Sequence, residues 1–94
     1  MSSDKLFKAL SDRTRRRIID LLRDQDLTAG DIASHFDMSK PSISEHLKIL
    51  RNADVVFSEK KGQYVEYSLN TTIFHEMISF FMNLVDSKDH AEGD

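Results

Sequence analysis

Cysteine and tryptophan are absent from this chain of 94 residues, proline occurs once, and glycine three times. Without cysteine there are no disulfides, no thiolate metal sites and no thiol redox chemistry. So few glycines supply no phosphate-cradling loop, and the histidines at 35, 46, 75 and 90 have no spacing that suggests a triad or a metal centre. An enzyme has little to stand on here. No apolar run approaches the roughly 18 residues that span a bilayer. The first residues, MSSDKLFKAL, are charged and short of apolar side chains, unlike a signal peptide. The expectation is one small cytoplasmic domain with no cofactor. A single core of this size is marginal, and with no disulfide to help it, association with a second chain is the usual supplement.

An excess of positive charge is missing too, since the net charge is −3. The distribution matters more than the total. Residues 86–94, DSKDHAEGD, carry that whole deficit, so the remainder is neutral. Within 39–63, five basic residues (Lys40, Lys48, Arg51, Lys60, Lys61) outnumber three acidic ones (Glu45, Asp54, Glu59). A mildly basic motif on a neutral body suits weak electrostatic attraction to nucleic acid. The acidic end, 88–94, reads as a disordered tail beyond a domain at 1–87.

What is present is concentrated in residues 28–50, TAGDIASHFDMSKPSISEHLKIL. Thr28 with Asp31 three residues on has the spacing of a capping box, and Ile32, Ala33 and Phe36 make one apolar face. Asp37 and Met38 form a turn. Ser39 is a strong N-cap, and Pro41 lies in the first turn, where no donor is needed. Ile43, Leu47 and Leu50 then repeat at helical spacing. Two short amphipathic helices joined by so tight a turn form a helix-turn-helix, whose second helix offers its outer face to a DNA groove.

On either side, the pattern predicts helices over 4–10 and 13–23. Val55 to Phe57 and Tyr64 to Leu69 read as the strands of a hairpin around Lys60-Lys61-Gly62-Gln63. Asn70 is placed as the cap of a last helix, 71–87. The fold class is therefore mainly α with a small β-hairpin, a winged helix-turn-helix of order α-α-α-α-β-β-α. Ile73, Phe74, Met77, Ile78, Phe80, Phe81, Leu84 and Val85 occupy most of the last helix's circumference, whereas a surface helix has one apolar stripe. That excess predicts one face packed on the domain and another on a second chain.

The sequence resembles ArsR/SmtB-type winged-helix repressors. The resemblance rests on Asp12-Arg13-Thr14-Arg15, Ser44-Glu45-His46-Leu47, Lys48 with Leu50, Gly62, and Tyr67-Ser68-Leu69, in that order over about residues 4–86. Within that family, TAGDIA, SKPSIS and the wing look like the SdpR-like branch of autorepressors. The resemblance implies a homodimer built from first and last helices, repression of a short operon, and a membrane protein of the same operon as a possible sequestering partner. It also locates four departures: Arg13 and Arg16, where the family often has proline and leucine, and Asp37 and Asp54, where it usually has glycine. Aspartate tolerates the left-handed conformation those sites need better than most residues do. Metal sensing is the alternative that the resemblance raises. Its sulfur site would fall near Thr28 and Gly30, which are not ligands, and its last-helix site on Ile73, His75, Asp86 and Asp89, whose first member cannot ligate. A purely protein-binding winged helix is a further alternative.

With Ile43, Leu47 and Leu50 inward, the expected DNA-binding residues are Lys40, Pro41, Ser42, Ser44, Glu45 and Lys48 on the helix, with Lys60, Lys61 and Gln63 on the wing. Lys40 suits guanine O6 and N7 or a phosphate, and Glu45 can accept from cytosine N4. His46 falls at the core edge and is expected to make a structural hydrogen bond. Among the arginines of the helix expected over 13–23, Arg15 lies nearest the core, while Arg13, Arg16 and Arg17 stand open between DNA backbone and solvent. The expected dimer interface is Leu6, Phe7, Leu10, Phe74, Met77, Ile78, Phe81, Leu84 and Val85, on an inverted-repeat operator.

Overall fold

The computed structural model describes residues 3–92, with side chains from 4 to 89. Its elements are α1 (Ser3–Leu10), α2 (Arg13–Leu22), β1 (Leu27–Thr28), α3 (Ala29–Ala33), α4 (Lys40–Asn52), β2 (Val56–Lys61), β3 (Tyr64–Leu69) and α5 (Thr71–Glu92). Each helix contributes its inward positions to one core: Leu6 and Ala9, Ile18 and Leu22, Ile32, then Ile43, Leu47 and Leu50, closed by Val55, Val56 and Ile73. The caps read from sequence form. Asp12 accepts from the Arg15 N–H at 3.1 Å, Thr28 Oγ1 from the Asp31 N–H at 3.1 Å, and Ser39 Oγ from the Ser42 N–H at 3.2 Å. Each satisfies a donor that has no partner inside its helix.

The turn of the helix-turn-helix is longer than expected. α3 ends at Ala33, so the turn starts at Ser34 rather than Asp37, and Ser34 bonds back to Gly30 O at 3.0 Å. The sheet has three strands, ordered β1-β3-β2 and antiparallel throughout, where the sequence suggested a hairpin alone. β1 pairs Leu27 with Tyr67 and Thr28 with Glu66, directly before α3. Two residues are too few to show a period, so propensity had nothing to read. Lys61 pairs with Tyr64 across Gly62 and Gln63, and only Gly62 has positive φ (+63°), the pattern of a type II′ turn.

α4 ends in a Schellman motif. The Val55 N–H bonds to Leu50 O and the Asp54 N–H to Arg51 O, both at 3.0 Å, with Asp54 at φ +60°. Asp54 thus takes the conformation expected at a glycine position, whereas Asp37 keeps negative φ. Asn70 does not cap α5 with its side chain as expected. Its Nδ2 donates to Asp54 O at 2.8 Å, and its backbone N–H donates to Val55 O at 3.0 Å, which clamps the end of α4 to the start of α5. Asp54→Gly is expected to stabilise the protein by about 0.5–1 kcal/mol, and Asp54→Val to destabilise it by about 1–2 kcal/mol. Urea unfolding at one fixed protein concentration measures both, and a stabilising Val would contradict the strain argument.

α5 differs most from its sequence reading. It continues to Glu92 instead of stopping at 87, so the expected disordered tail is helical through that residue, while positions 93–94 lie outside the described residues. Its apolar side chains divide by end rather than by face. Ile73 is in the core and Phe74 and Met77 pack on it, but from Ile78 to Asp89 every side chain is exposed. The helix leaves its own domain. This explains a Cα radius of gyration of 16.0 Å, against about 12–13 Å for a compact chain of this length.

Candidate nucleic-acid interface

α4 lies on the domain like a half-sunk rod. Ile43, Leu47 and Leu50 are 0–3 % exposed, which fixes the rotation of the helix about its axis. That rotation puts Lys40, Pro41, Ser42, Ser44, Glu45 and Lys48 in solvent, with Arg51 and Asn52 beyond them. Ser42 differs from Ser44 in its bonding. The Ser39 hydroxyl donates to Ser42 Oγ at 2.9 Å while accepting from the Ser42 N–H, so Ser42 belongs to the cap. An open cleft of about 220 Å³ runs between α3 and α4, floored by Ile43 and Leu47 and rimmed by Lys40 and Ser44.

The wing brings cations to the same side chain class but not to the same state. Lys60, Lys61 and Gln63 are all exposed at the turn. Lys61, however, donates to Glu66 Oε1 at 2.8 Å, and Glu66 stands directly opposite Glu59 in the β2–β3 register. Its ammonium is held more firmly protonated first by the Glu66 hydrogen bond and charge, then by Glu59 and Asp26. Lys61 therefore neutralises wing carboxylates, which weakens it as a phosphate contact. Lys60, paired with Val65, points to the other face of the ribbon. Of the α2 arginines Arg15 turns inward, as its place nearest the core suggested, while Arg16 and Arg17, left open by the sequence, stay exposed with local partners. Arg16 donates to Leu10 O at 2.8 Å, the Arg17 guanidinium lies 4.7 Å above the Phe36 ring, and Arg15 is buried. Arg13 stays exposed.

The sequence model described as bacterial regulatory protein, arsR family, matches residues 12–58, from the N-cap of α2 into the wing. The chain belongs to the arsR family. It is a DNA-binding transcriptional regulator of the repressor kind and not an enzyme. This arsR-family chain is 52 % identical to the transcriptional repressor SdpR of Bacillus subtilis (strain 168), over 93 % of its own length and 97 % of the relative's. It is 34 % identical to an arsenical resistance operon repressor of Staphylococcus aureus, over 89 % and 80 % of the two chains. Among solved structures it superposes on an ArsR-like transcriptional regulator from Rhodococcus sp. RHA1 with a TM-score of 0.85, at 26 % identity, covering 93 % and 80 %.

Two further features of this arsR-family chain bear on its site. Lys5 and Lys8 of α1 border an open cleft of about 400 Å³ with Glu45, Ile49 and Asn52 of α4, so α1 brings cations beside the recognition helix. The sequence reading missed them because α1 was assigned wholly to dimerisation. That assignment also needs one correction: Leu6 is 3 % exposed and belongs to the domain's own core. The exposed α1 residue is Phe7, at 44 %, edge-on to Phe81 with ring centroids 6.5 Å apart. Leu10, Phe74 and Met77 are partly buried against the core, while Ile78, Phe81, Leu84 and Val85 are 45–58 % exposed. Phe80 and Met82, outside the predicted interface, are exposed too, at 52 % and 51 %.

Proposed function

We propose that the protein acts as a cytoplasmic homodimer, joined through Phe7 of α1 and the projecting half of α5, that represses its own operon from an inverted-repeat operator. The observation that carries the DNA-reading part is the exposed polar face of α4 over a buried apolar one. Lys40, Ser44 and Glu45 face the major groove, Lys48 and Arg51 meet phosphates, and Lys60 with Gln63 reach the flanking backbone. Two-fold symmetry of the dimer matches two-fold symmetry of the site. Footprinting on the gene's own promoter tests this, since an interaction-only domain gives no protected repeat and no salt-dependent shift. Among the described residues no helix is long and apolar enough to cross a membrane. A membrane protein of the same operon would act as a partner by capturing the chain away from DNA, and its co-expression should then raise promoter activity.

The repressor we propose is independent of metal. Ile73, at the first position of the family's last-helix site, is 2 % exposed in the core and offers no donor. Operator affinity measured with stoichiometric zinc or nickel, and again after chelation, is expected to stay within about twofold, well under the 5–150-fold coupling of an allosteric effector. A loss of about tenfold on adding metal, abolished in His75→Ala, would establish a sensor instead.

A further inference from the structure

Arg15 is the one buried charged residue among those described, at 7 % exposure, and its three nitrogens all bond. Nε donates to Ala9 O at 2.7 Å and Nη2 to Lys8 O at 3.0 Å, which ties off the C-terminal carbonyls of α1. Nη1 lies 3.2 Å from His46 Nδ1, on the recognition helix. One side chain of α2 therefore joins the helix bearing Phe7 to the helix that reads DNA.

The direction of the third bond follows from chemistry. A guanidinium has five donors and no acceptor. His46 Nδ1 must then present a lone pair, which leaves the ring neutral with its proton on Nε2. A second proton on Nδ1 would set donor against donor beside a fixed cation. That proton would instead be drawn to Asp12 Oδ2, which lies 3.8 Å from the same nitrogen. The charged groups facing His46 are Asp12, the N-cap of α2, and Arg15 within it. α1 presents the Lys8 and Ala9 carbonyls through Arg15, and Lys5, Lys8 and Glu45 border the neighbouring cleft.

We propose that Arg15 and His46 are positioning residues for DNA recognition: neutral His46, as acceptor from Arg15, sets the recognition helix against α1, and protonation of His46 breaks that joint. Imidazole is the side chain that ordinarily changes charge between about pH 5 and 8. Asp12 remains ionised over that range. Its carboxyl sits below the ordinary aspartate range, chiefly because it accepts from the Arg15 N–H, with the charge His46 carries when protonated and that of Arg15 adding to that effect. Protonated His46 then has a carboxylate to pair with in place of Arg15. Adding positive charge normally tightens binding to DNA. The joint predicts the opposite sign.

The proposal rests on the DNA-binding reading above, and its test has one arm that does not. Nitrogen-15 NMR of the histidine rings at about pH 7.5 should show His46 with bare Nδ1 and protonated Nε2; a proton on Nδ1 overturns the joint, whether or not DNA binds. On the promoter fragment protected in the footprint, wild-type affinity should fall roughly tenfold between about pH 7.5 and 5.5, the loss expected for one hydrogen bond to a charged group. His46→Asn places an amide oxygen near the Nδ1 position but cannot take up the proton, so it should bind at pH 7.5 and show no such fall. Constant or tighter wild-type binding on acidification, or the same fall in His46→Asn, removes the proposal. If His46→Asn does not fold, the ring NMR and the sign of the wild-type profile still decide. Absence of DNA binding at every pH would count against the proposed function, and the NMR arm would then judge the joint by itself.

Discussion

Replacing Phe81 and Leu84 together by glutamate is expected to convert the protein to monomer and to abolish operator binding with it. Phe81 is 45 % and Leu84 56 % exposed on a helix that has left its own domain, with Ile78, Phe80, Met82 and Val85 exposed around them. The Phe7, Phe81 and Phe80 rings already meet edge to face, with centroids 6.5 and 5.4 Å apart, so the patch is organised before any partner arrives. Burying a large apolar side chain fully is worth about 1.5–3 kcal/mol. In a two-fold dimer each change counts twice, and with each side chain only about half exposed beforehand the loss is roughly 3–6 kcal/mol before the cost of desolvating glutamate. Sedimentation reads the outcome directly. A wild-type monomer at micromolar concentration would sink the dimer, and a double variant that stays dimeric would move the interface off α5. Ile18→Ala serves as a contrast, because that side chain is fully buried in the domain. It should cost about 2–5 kcal/mol of folding stability with no specific effect on association.

How much of this was legible in sequence depended on whether a residue's role was set locally. The recognition helix was readable because Ser39, Pro41 and the Ile43, Leu47, Leu50 spacing all give the same rotation, and the structure keeps it. Asp54 was readable through the family resemblance, which places a glycine at that position, and the residue does take φ +60°. α1 was not. An eight-residue helix with Leu6, Phe7 and Leu10 fits more than one rotation, and packing against α2 chose Leu6 as core and Phe7 as surface. Periodicity also showed that α5 is apolar on most sides but could not say where the domain stops beneath it. The division by end follows from the size of a core that closes at Ile73. Lys61 had a signal that went unused. A two-residue turn at Gly62-Gln63 sets Lys61 opposite Tyr64, and the pleat then brings Glu66 onto the same face one diagonal away. For Arg15 the useful sign was its place one turn before Ile18 on the apolar side, which identified burial, although its partners came from α1 and α4, too distant in sequence for any local pattern to show.

The inward turn of Lys61 changes what salt should do. With Lys61 committed to Glu66, the phosphate contacts come from two copies of Lys48, Arg51 and Lys60, with Lys40 in part. If roughly four to six phosphates are met, log K against log salt should slope at about −3.5 to −5.5. Lys60→Ala should flatten that slope by nearly two, one contact being lost per protomer, and should weaken matched and scrambled sites alike. Lys61→Ala should change the slope by much less. Glu66→Gln is the sharper variant, because it frees the Lys61 ammonium: affinity should rise for every sequence and the slope should steepen. Ser44→Ala behaves differently if Ser44 reads a base, costing about 1–3 kcal/mol on the cognate repeat and narrowing the gap to scrambled DNA. The same holds for Lys40→Ala. Equal losses on cognate and scrambled DNA would make Lys40 a positioning residue and leave the reading to Ser44 and Glu45. A Lys61→Ala slope change as large as that of Lys60→Ala would mean the Glu66 pair opens on DNA. Near-zero effects at every one of these positions would mean that the exposed face of α4 only meets solvent, and that this domain meets DNA through another surface.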